Sequence, residues 1–541
     1  MTAPPRLIPW LTLPFRTLSW LAGSPRILTL HTPTLLIRSP RTLPLHTSPL
    51  LTRSCRTLPS LTFSAPTLAL RTLPLLAVPL LIFPLLAFPL ISGAKSPEPS
   101  PVEPPGVQER ILDNGLKVLV KEDHRAPIVT SQVWYKVGSS YEVGGLTGIS
   151  HLLEHMMFKG TEKLAPGEFS RIIAANGGDE NAFTGRDYTA YFQTLAADRL
   201  PIAFELEAER MRSLALPEEE FLKELEVVKE ERRQNTEDDP DSLTYEQFNA
   251  VAYESSPYRN PIIGWASDLE GMAVEDLRDW YRQWYAPNNA TLVVVGDVDP
   301  QAVFALAERH FGPLGAERIR PPRPQADAPQ RGEKRLRVKA PAKEPYLLMG
   351  YKTPVIGHAD DDWEPYALEM LASILDGGSS ARLSRELVRG SHVAASAGAS
   401  FSAFNRLPGM LLLDGIPAKG RSIAELEQAL QAQIHRLREE PVAETELERI
   451  RNQLIAAKVY ERDSVFAQAR QMGSLETVGL GWELMDQYVD RLSQVTPAQI
   501  QAVARKFLTP DNLTLAQLEP QRIPEHQAIE DHPGGTAHGH P

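Results

Sequence analysis

The sequence predicts an α+β protein with two homologous domains, each a mostly antiparallel β-sheet packed with helices. Three observations carry this expectation. Short apolar or alternating segments, such as 111–120 and 128–137, read as strands. Longer segments of helical period, such as 274–285 and 423–437, stand between them. Finally, Gln283-Trp284-Tyr285-Ala286-Pro287-Asn288-Asn289-Ala290-Thr291-Leu292 returns as Lys506-Phe507-Leu508-Thr509-Pro510-Asp511-Asn512-Leu513-Thr514-Leu515. Each copy follows an amphipathic helix and opens a strand, 223 residues apart, so the body reads as a duplication.

In chain order, residues 111–120 alternate around Asp113-Asn114-Gly115, a hairpin signal, and 128–137 form a further strand. A helix through 151–155 and another at 168–175 follow. Gly177-Gly178 breaks the second, and Asn181-Ala182-Phe183-Thr184 leads into a strand through 188–193. Helices are expected at about 197–214 and 217–234, then an irregular stretch, a helix at 274–285 and a strand at 291–295. This first domain spans 106–320. Residues 321–345 read as a linker with a first edge strand. The second domain, 346–520, restarts the pattern: strand 346–350, helix 365–375, strand 410–413, and helices 423–437 and 444–460. The tail 521–541, with His526, His532, His538 and His540, reads as a solvated end.

The first hundred residues are different. Residues 1–70 are a Leu/Pro/Thr/Arg tract in which Arg-Thr-Leu-Pro recurs at Arg41, Arg56 and Arg71. Frequent proline excludes regular helix, so this is either disordered chain or a stretch upstream of the true start. Residues 71–94 combine a basic residue, an apolar run and small residues at the end, which are the parts of a secretory signal. Pro74, Pro79, Pro84 and Pro89 favour a cleaved signal, hence a periplasmic protein, over an uncleaved membrane anchor. A Pro-rich linker, 95–105, follows.

The net charge is −12, yet residues 1–95 carry nine positive charges and no acid, which leaves −21 on the body. An acidic body excludes nucleic acid as the main partner, since phosphate contacts need clustered Lys and Arg. The single cysteine, Cys55, lies in the N-terminal tract. Any metal in the body must therefore sit on histidine and carboxylate.

Such a set is present. His151-Leu152-Leu153-Glu154-His155 follows a Gly-rich turn, and on a helix the two histidines stack on one face with Glu154 beside them. This H-x-x-E-H order is the inverted form of the zinc-hydrolase H-E-x-x-H. A third protein ligand is needed, leaving one position for water. The acidic helix holding Glu224, Glu226, Glu230 and Glu231 is the candidate source. Glu224 and Glu231 share a face, with Val227 and Val228 between them on the expected buried side. Spacing alone does not separate Glu230 from Glu231, although the helical face favours Glu231. Without the histidine motif the same helix would read as a solvated charged one.

Taken together, Val137-Gly138-Ser139, Glu142, Gly148, HLLEH, Phe158-Lys159-Gly160-Thr161, Asn181-Ala182-x-Thr184 and the Tyr285 to Asp297 segment resemble the pitrilysin/insulinase family of zinc metallopeptidases. The resemblance runs from about 106 to 520. It implies one Zn²⁺ held by His151, His155 and Glu231, the last 76 residues beyond His155. It also implies Glu154 as general base and Glu224 as an acid that supports the site. A peptide substrate would add as a strand near Asn181 and Ala182.

The second domain has no H-x-x-E-H. Its Asp376 to Leu383 segment resembles the family's Gly-rich loop, after which self-sufficient members carry an arginine and a tyrosine seven apart. Here Val388 and Ala395 stand at those places. The resemblance thus implies a homologous partner chain that supplies both residues. Two other readings are a non-catalytic assembly subunit of the same fold and a presequence-processing peptidase. Intact HLLEH and Glu231 count against the first, and the export signal against the second.

Overall fold

The computed structural model describes residues 106–522, apart from 324 and 326. The tract 1–70, the export segment 71–94, the linker 95–105 and nearly all of the histidine tail lie outside the described residues.

The first half runs β1 (Gln108–Ile111), β2 (Lys117–Glu122), β3 (Ile128–Tyr135), α1 (Ile149–Met156), α2 (Glu168–Ala175), β4 (Asp179–Thr184), β5 (Thr189–Ala196), α3 (Leu200–Arg212), α4 (Glu218–Arg232), α5 (Pro240–Ala252), α6 (Ala266–Gly271), α7 (Val274–Trp284), β6 (Ala290–Gly296) and α8 (Pro300–His310). The second half runs β7 (Lys334–Pro341), β8 (Tyr346–Thr353), α9 (Glu364–Asp376), β9 (Ala394–Ser400), β10 (Gly409–Pro417), α10 (Ile423–Glu439), α11 (Glu444–Glu461), α12 (Val465–Val478), α13 (Leu484–Ser493), α14 (Pro497–Phe507) and β11 (Leu513–Gln521).

The strands form two sheets, ordered β1-β2-β6-β3-β5-β4 and β7-β11-β8-β10-β9. Without the added edge strand β1, both follow one plan: the last strand of each half slots between its first and second. The β2–β6 and β7–β11 pairs are parallel and every other pair is antiparallel. The α+β class, the mostly antiparallel sheets and the internal duplication are therefore as the sequence indicates. In the repeat, Thr291 pairs with Trp134 of β3 and Thr514 pairs with Gly350 of β8, so Trp134 and Gly350 occupy equivalent places.

Helices α1, α3, α4 and α7 cover one face of the first sheet and enclose its main core. Its opposite face is covered from the other half. Helix α12 lies on β3 and β6, packing Ala469, Met472 and Leu475 against Leu119, Trp134, Val293 and Val295. Reciprocally, α5 of the first half lies on β7, β8 and β11, with Phe248 and Ala252 against Leu348 and Ala516. Each half thus keeps its own main core, and the two smaller clusters under the crossing helices join the halves.

Two expectations need correction. The stretch after 234 is not irregular, since it contains α5 and α6. The buried face of α5 includes Thr244, Glu246 and Asn249, so it shows no continuous apolar stripe. Its start was nonetheless signalled by Asp239, whose side chain accepts from Asp241 N–H and Ser242 N–H, and by Pro240 in the first turn. Val227 is 48% exposed and only Val228 is buried, because the helix turns about 100° between neighbours. The edge strand expected within 321–345 is β7, hydrogen-bonded along its length to β11.

Candidate metal centre

Helix α1 is held at its start. Gly148 precedes it at φ +87°, and Gly148 N–H and Ser150 N–H donate to the buried Glu142 carboxylate at 2.8 and 2.9 Å. That places a negative group at the positive end of the helix. Burial pushes the Glu142 carboxyl up to about 7, against the pull of those two N–H groups. A Cβ on Gly148 would lie 2.5 Å from the Ile263 carbonyl oxygen, and one on Gly264 would lie 2.3 Å from that of Thr147. The two glycines therefore let the start of α1 pack backbone to backbone on the 261–264 segment.

Leu152, Leu153 and Met156 are buried beneath α1, which turns His151 and His155 outward towards α4. The imidazole centroids are 4.8 Å apart. Glu231 Oε2 lies 3.7 Å from His151 Nε2 and 3.6 Å from His155 Nε2. Among the described residues these three form the one His/Cys/Asp/Glu group arranged for a metal, with donor atoms within 4.8 Å of one another. At zinc bond lengths near 2.0–2.2 Å, tetrahedral donors lie roughly 3.3–3.5 Å apart, so the two Glu231–histidine distances fit that ion after a small contraction. Glu230 is instead bound to Arg233 and Gln234 on the outer side of the helix, which separates the two neighbouring acids.

Burial, and then the nearby His155, pull His151 down to about 3, so it stays a neutral imidazole at ordinary pH. Glu154 points into the same cleft and accepts a 2.5 Å hydrogen bond from Thr184 Oγ1 at the end of β4. Burial pushes its carboxyl up to about 7, opposed by the Thr184 bond and aided by the charge of Glu231. Glu224 Oε2 lies 3.3 Å from His155 Nδ1. A carboxylate only accepts, so His155 carries its hydrogen on Nδ1 and turns the Nε2 lone pair towards Glu231.

The cleft has a volume of about 440 Å³. Its walls include the outer strand β4 through Ala182, Phe183 and Thr184, helix α5 through Tyr245 and Glu246, and the segment Pro261 to Ile263. Ala182 is therefore in the cleft. Asn181, one residue earlier on the same edge strand, uses its Oδ1 to accept the Ala182 N–H at 2.8 Å. Thr184, Lys159 and the α5 residues had no role assigned from sequence. The first two stood within the quoted motifs, but hydrogen bonds across 30 and 65 residues leave no mark in a linear pattern.

Residues 117–265 match the model of the family described as "Insulinase (Peptidase family M16)" and 272–454 match "Peptidase M16 inactive domain". The chain belongs to the insulinase/pitrilysin family. The first match carries H-x-x-E-H; the second begins at α7 of the first half, runs into α11 and carries none. The zinc protease PqqE of Helicobacter pylori is 38% identical over 290 residues, 53% of this chain and 64% of that relative's own length. An uncharacterized zinc protease of Bacillus subtilis, YmxG, is 25% identical over 76% of this chain and 98% of its own. Among solved M16-like folds, the crystal structure of a protease from Helicobacter pylori superposes with a TM-score of 0.73 at 29% identity, covering 77% of this chain and all of that one.

Proposed function

We propose that this chain is a zinc-dependent endopeptidase that cleaves peptides or unfolded segments, and that it works as the metal-bearing subunit of a hetero-oligomer. The observation that carries the reading is the convergence of His151, His155 and Glu231 on one point beside Glu154. The names of the relatives, zinc proteases in both cases, support the same reading.

His151 Nε2, His155 Nε2 and Glu231 Oε2 would hold one Zn²⁺. When bound, that ion supplies Lewis acidity and makes a water nucleophilic near neutral pH. The remaining work falls to the chain. Glu154 takes the proton of the attacking water and passes it to the leaving amine. Thr184 holds Glu154 at its post. β4 is the outermost strand of its sheet, and an extended peptide added there would lay the scissile bond across the cleft near Ala182. Asn181, on the same edge, would help to align it.

The second half supplies fold but lacks the paired arginine and tyrosine. Arg382 is bound to Glu446, and Val388 and Ala395 stand at the two expected places. A homologous partner chain would provide them. Export to the periplasm rests on the 71–94 segment, with an uncleaved anchor as the alternative, and among the described residues no helix is long and apolar enough to cross a membrane.

Purified protein should carry about one zinc per chain. Glu154→Gln should keep the zinc and lower peptide cleavage by about 10²- to 10⁴-fold. Well-folded chain that binds no zinc overturns the reading. Cleavage that appears only on mixing with a homologous chain supports the partner, and full activity of this chain alone refutes it.

A further inference from the structure

Lys159 lies three residues beyond α1 and outside the metal donors. Its Nζ is 2.6 Å from Glu224 Oε1, while the other oxygen of the same carboxylate faces His155 Nδ1 at 3.3 Å. The Glu224 side chain is 10% exposed and that of Lys159 is 29% exposed. Glu224 therefore brings a charge into a mostly buried wall, and Lys159 is the cation that compensates it. The three groups form one line: ammonium, carboxylate, imidazole.

We propose that Lys159 is a positioning residue for the metal site, acting on His155 through Glu224. Its ammonium pins one carboxylate oxygen, which leaves the second directed at Nδ1. That contact fixes the tautomer and the ring plane of His155, and so aims Nε2 at the point shared with His151 and Glu231. Partners behind a metal-binding histidine commonly contribute about 10- to 100-fold in metal affinity. Among the described residues no other Lys or Arg is paired with Glu224, so without Lys159 its carboxylate rotates towards solvent and His155 loses its brace. The inference deepens the zinc reading and rests on it.

The test is zinc affinity of the full-length chain, measured by competition between zinc alone and a chromophoric chelator, so no peptidase activity is needed. Four proteins form a cycle: wild type, Lys159→Met, Glu224→Gln, and the double variant. Lys159→Met should weaken zinc about 10-fold in the wild-type background and less than about 2-fold when Glu224→Gln is already present. Lys159→Arg, which keeps the charge and the donors, should restore most of the affinity. Equal weakening in both backgrounds means that Lys159 acts independently of Glu224 and overturns the proposal, as does wild-type affinity in Lys159→Met. Should Lys159→Met melt well below wild type, Lys159→Gln replaces it in the cycle, and the same two results overturn the proposal. A wild-type chain that binds no zinc overturns the metal reading instead, and that result is seen before any variant is compared.

Discussion

Trp134 of β3 and Gly473 of α12 are fitted to each other across the two halves of the chain. A Cβ on Gly473 would lie 2.1 Å from the indole Nε1 and 2.2 Å from Cε2. The indole has no room to retreat. It meets Phe183 and Tyr188 edge-on at 5.4 and 5.0 Å, and its Nε1 donates to Gln132 Oε1 at 3.0 Å. At the equivalent place in the second sheet the sizes are reversed. There the strand contributes Gly350 and the crossing helix contributes Phe248, whose ring tip would lie 2.5 Å from a Cβ on the glycine. Each crossing helix is thus keyed to its own sheet.

Gly473→Ala should destabilise the protein although alanine is the better helix former. The helical gain is about 1 kcal/mol, whereas forcing a methyl into a filled site costs about 1–3 kcal/mol, and a 2.1 Å approach belongs at the upper end. A net loss of about 1–2 kcal/mol in a denaturant melt is expected, and Trp134→Leu in the same chain should relieve part of it. A gain in stability for Gly473→Ala would show that the helix can slide on the sheet.

Gly148→Ala should affect the metal site through the backbone. The residue would have to keep φ +87° with its methyl 2.5 Å from the Ile263 carbonyl oxygen. Strain and overlap together should cost about 2–3 kcal/mol and tilt α1 out of register with α4. Thermal melting and zinc competition measured on the same sample should both fall.

Asp187 ties the turn after β4 to the second half. It accepts from Ser140 Oγ and from the Arg406 side chain and backbone N–H, and Tyr258 donates to it as well. Asp187→Ala would leave Arg406, whose side chain is 15% exposed, without its counter-charge, at a cost of about 3–5 kcal/mol. Asp187→Ala paired with Arg406→Met should recover much of that loss. A double variant no more stable than the single one would mean that the contact is incidental.

The metal-free protein should show the titration of Glu154. Its carboxyl is raised from 4.5 to about 7 in the folded state, so the folded protein holds this proton more tightly than the unfolded chain. The corresponding stability is fully present below about pH 4.5 and is lost as the pH rises through about 7. The amide introduced by Glu154→Gln has no such proton to lose. In chelator-treated protein, Glu154→Gln should therefore gain on wild type between pH 5 and pH 8, by about 2 °C or more in Tm. Added zinc should shrink the difference, because a cation beside Glu154 favours its charged form. A Tm difference that is flat with pH would rule out a raised Glu154.

Much of this protein was legible in its sequence because the signals are local. Helix and strand periods reflect which face each element buries, so most elements lie within a few residues of where the pattern put them. The repeated Pro-Asn-Asn and Pro-Asp-Asn segments exposed the duplication, and H-x-x-E-H is complete within two turns of one helix. What the tertiary structure alone decided is everything that depends on contact between distant segments. It placed α5, whose polar buried face hid it, across the second sheet, and α12 across the first. It exposed Val227 and set Lys159 against Glu224 behind His155. Periodicity records how much of a side chain is buried, but not against what. The groups that aim a donor atom are chosen by packing, and packing is settled only when the two halves close on each other.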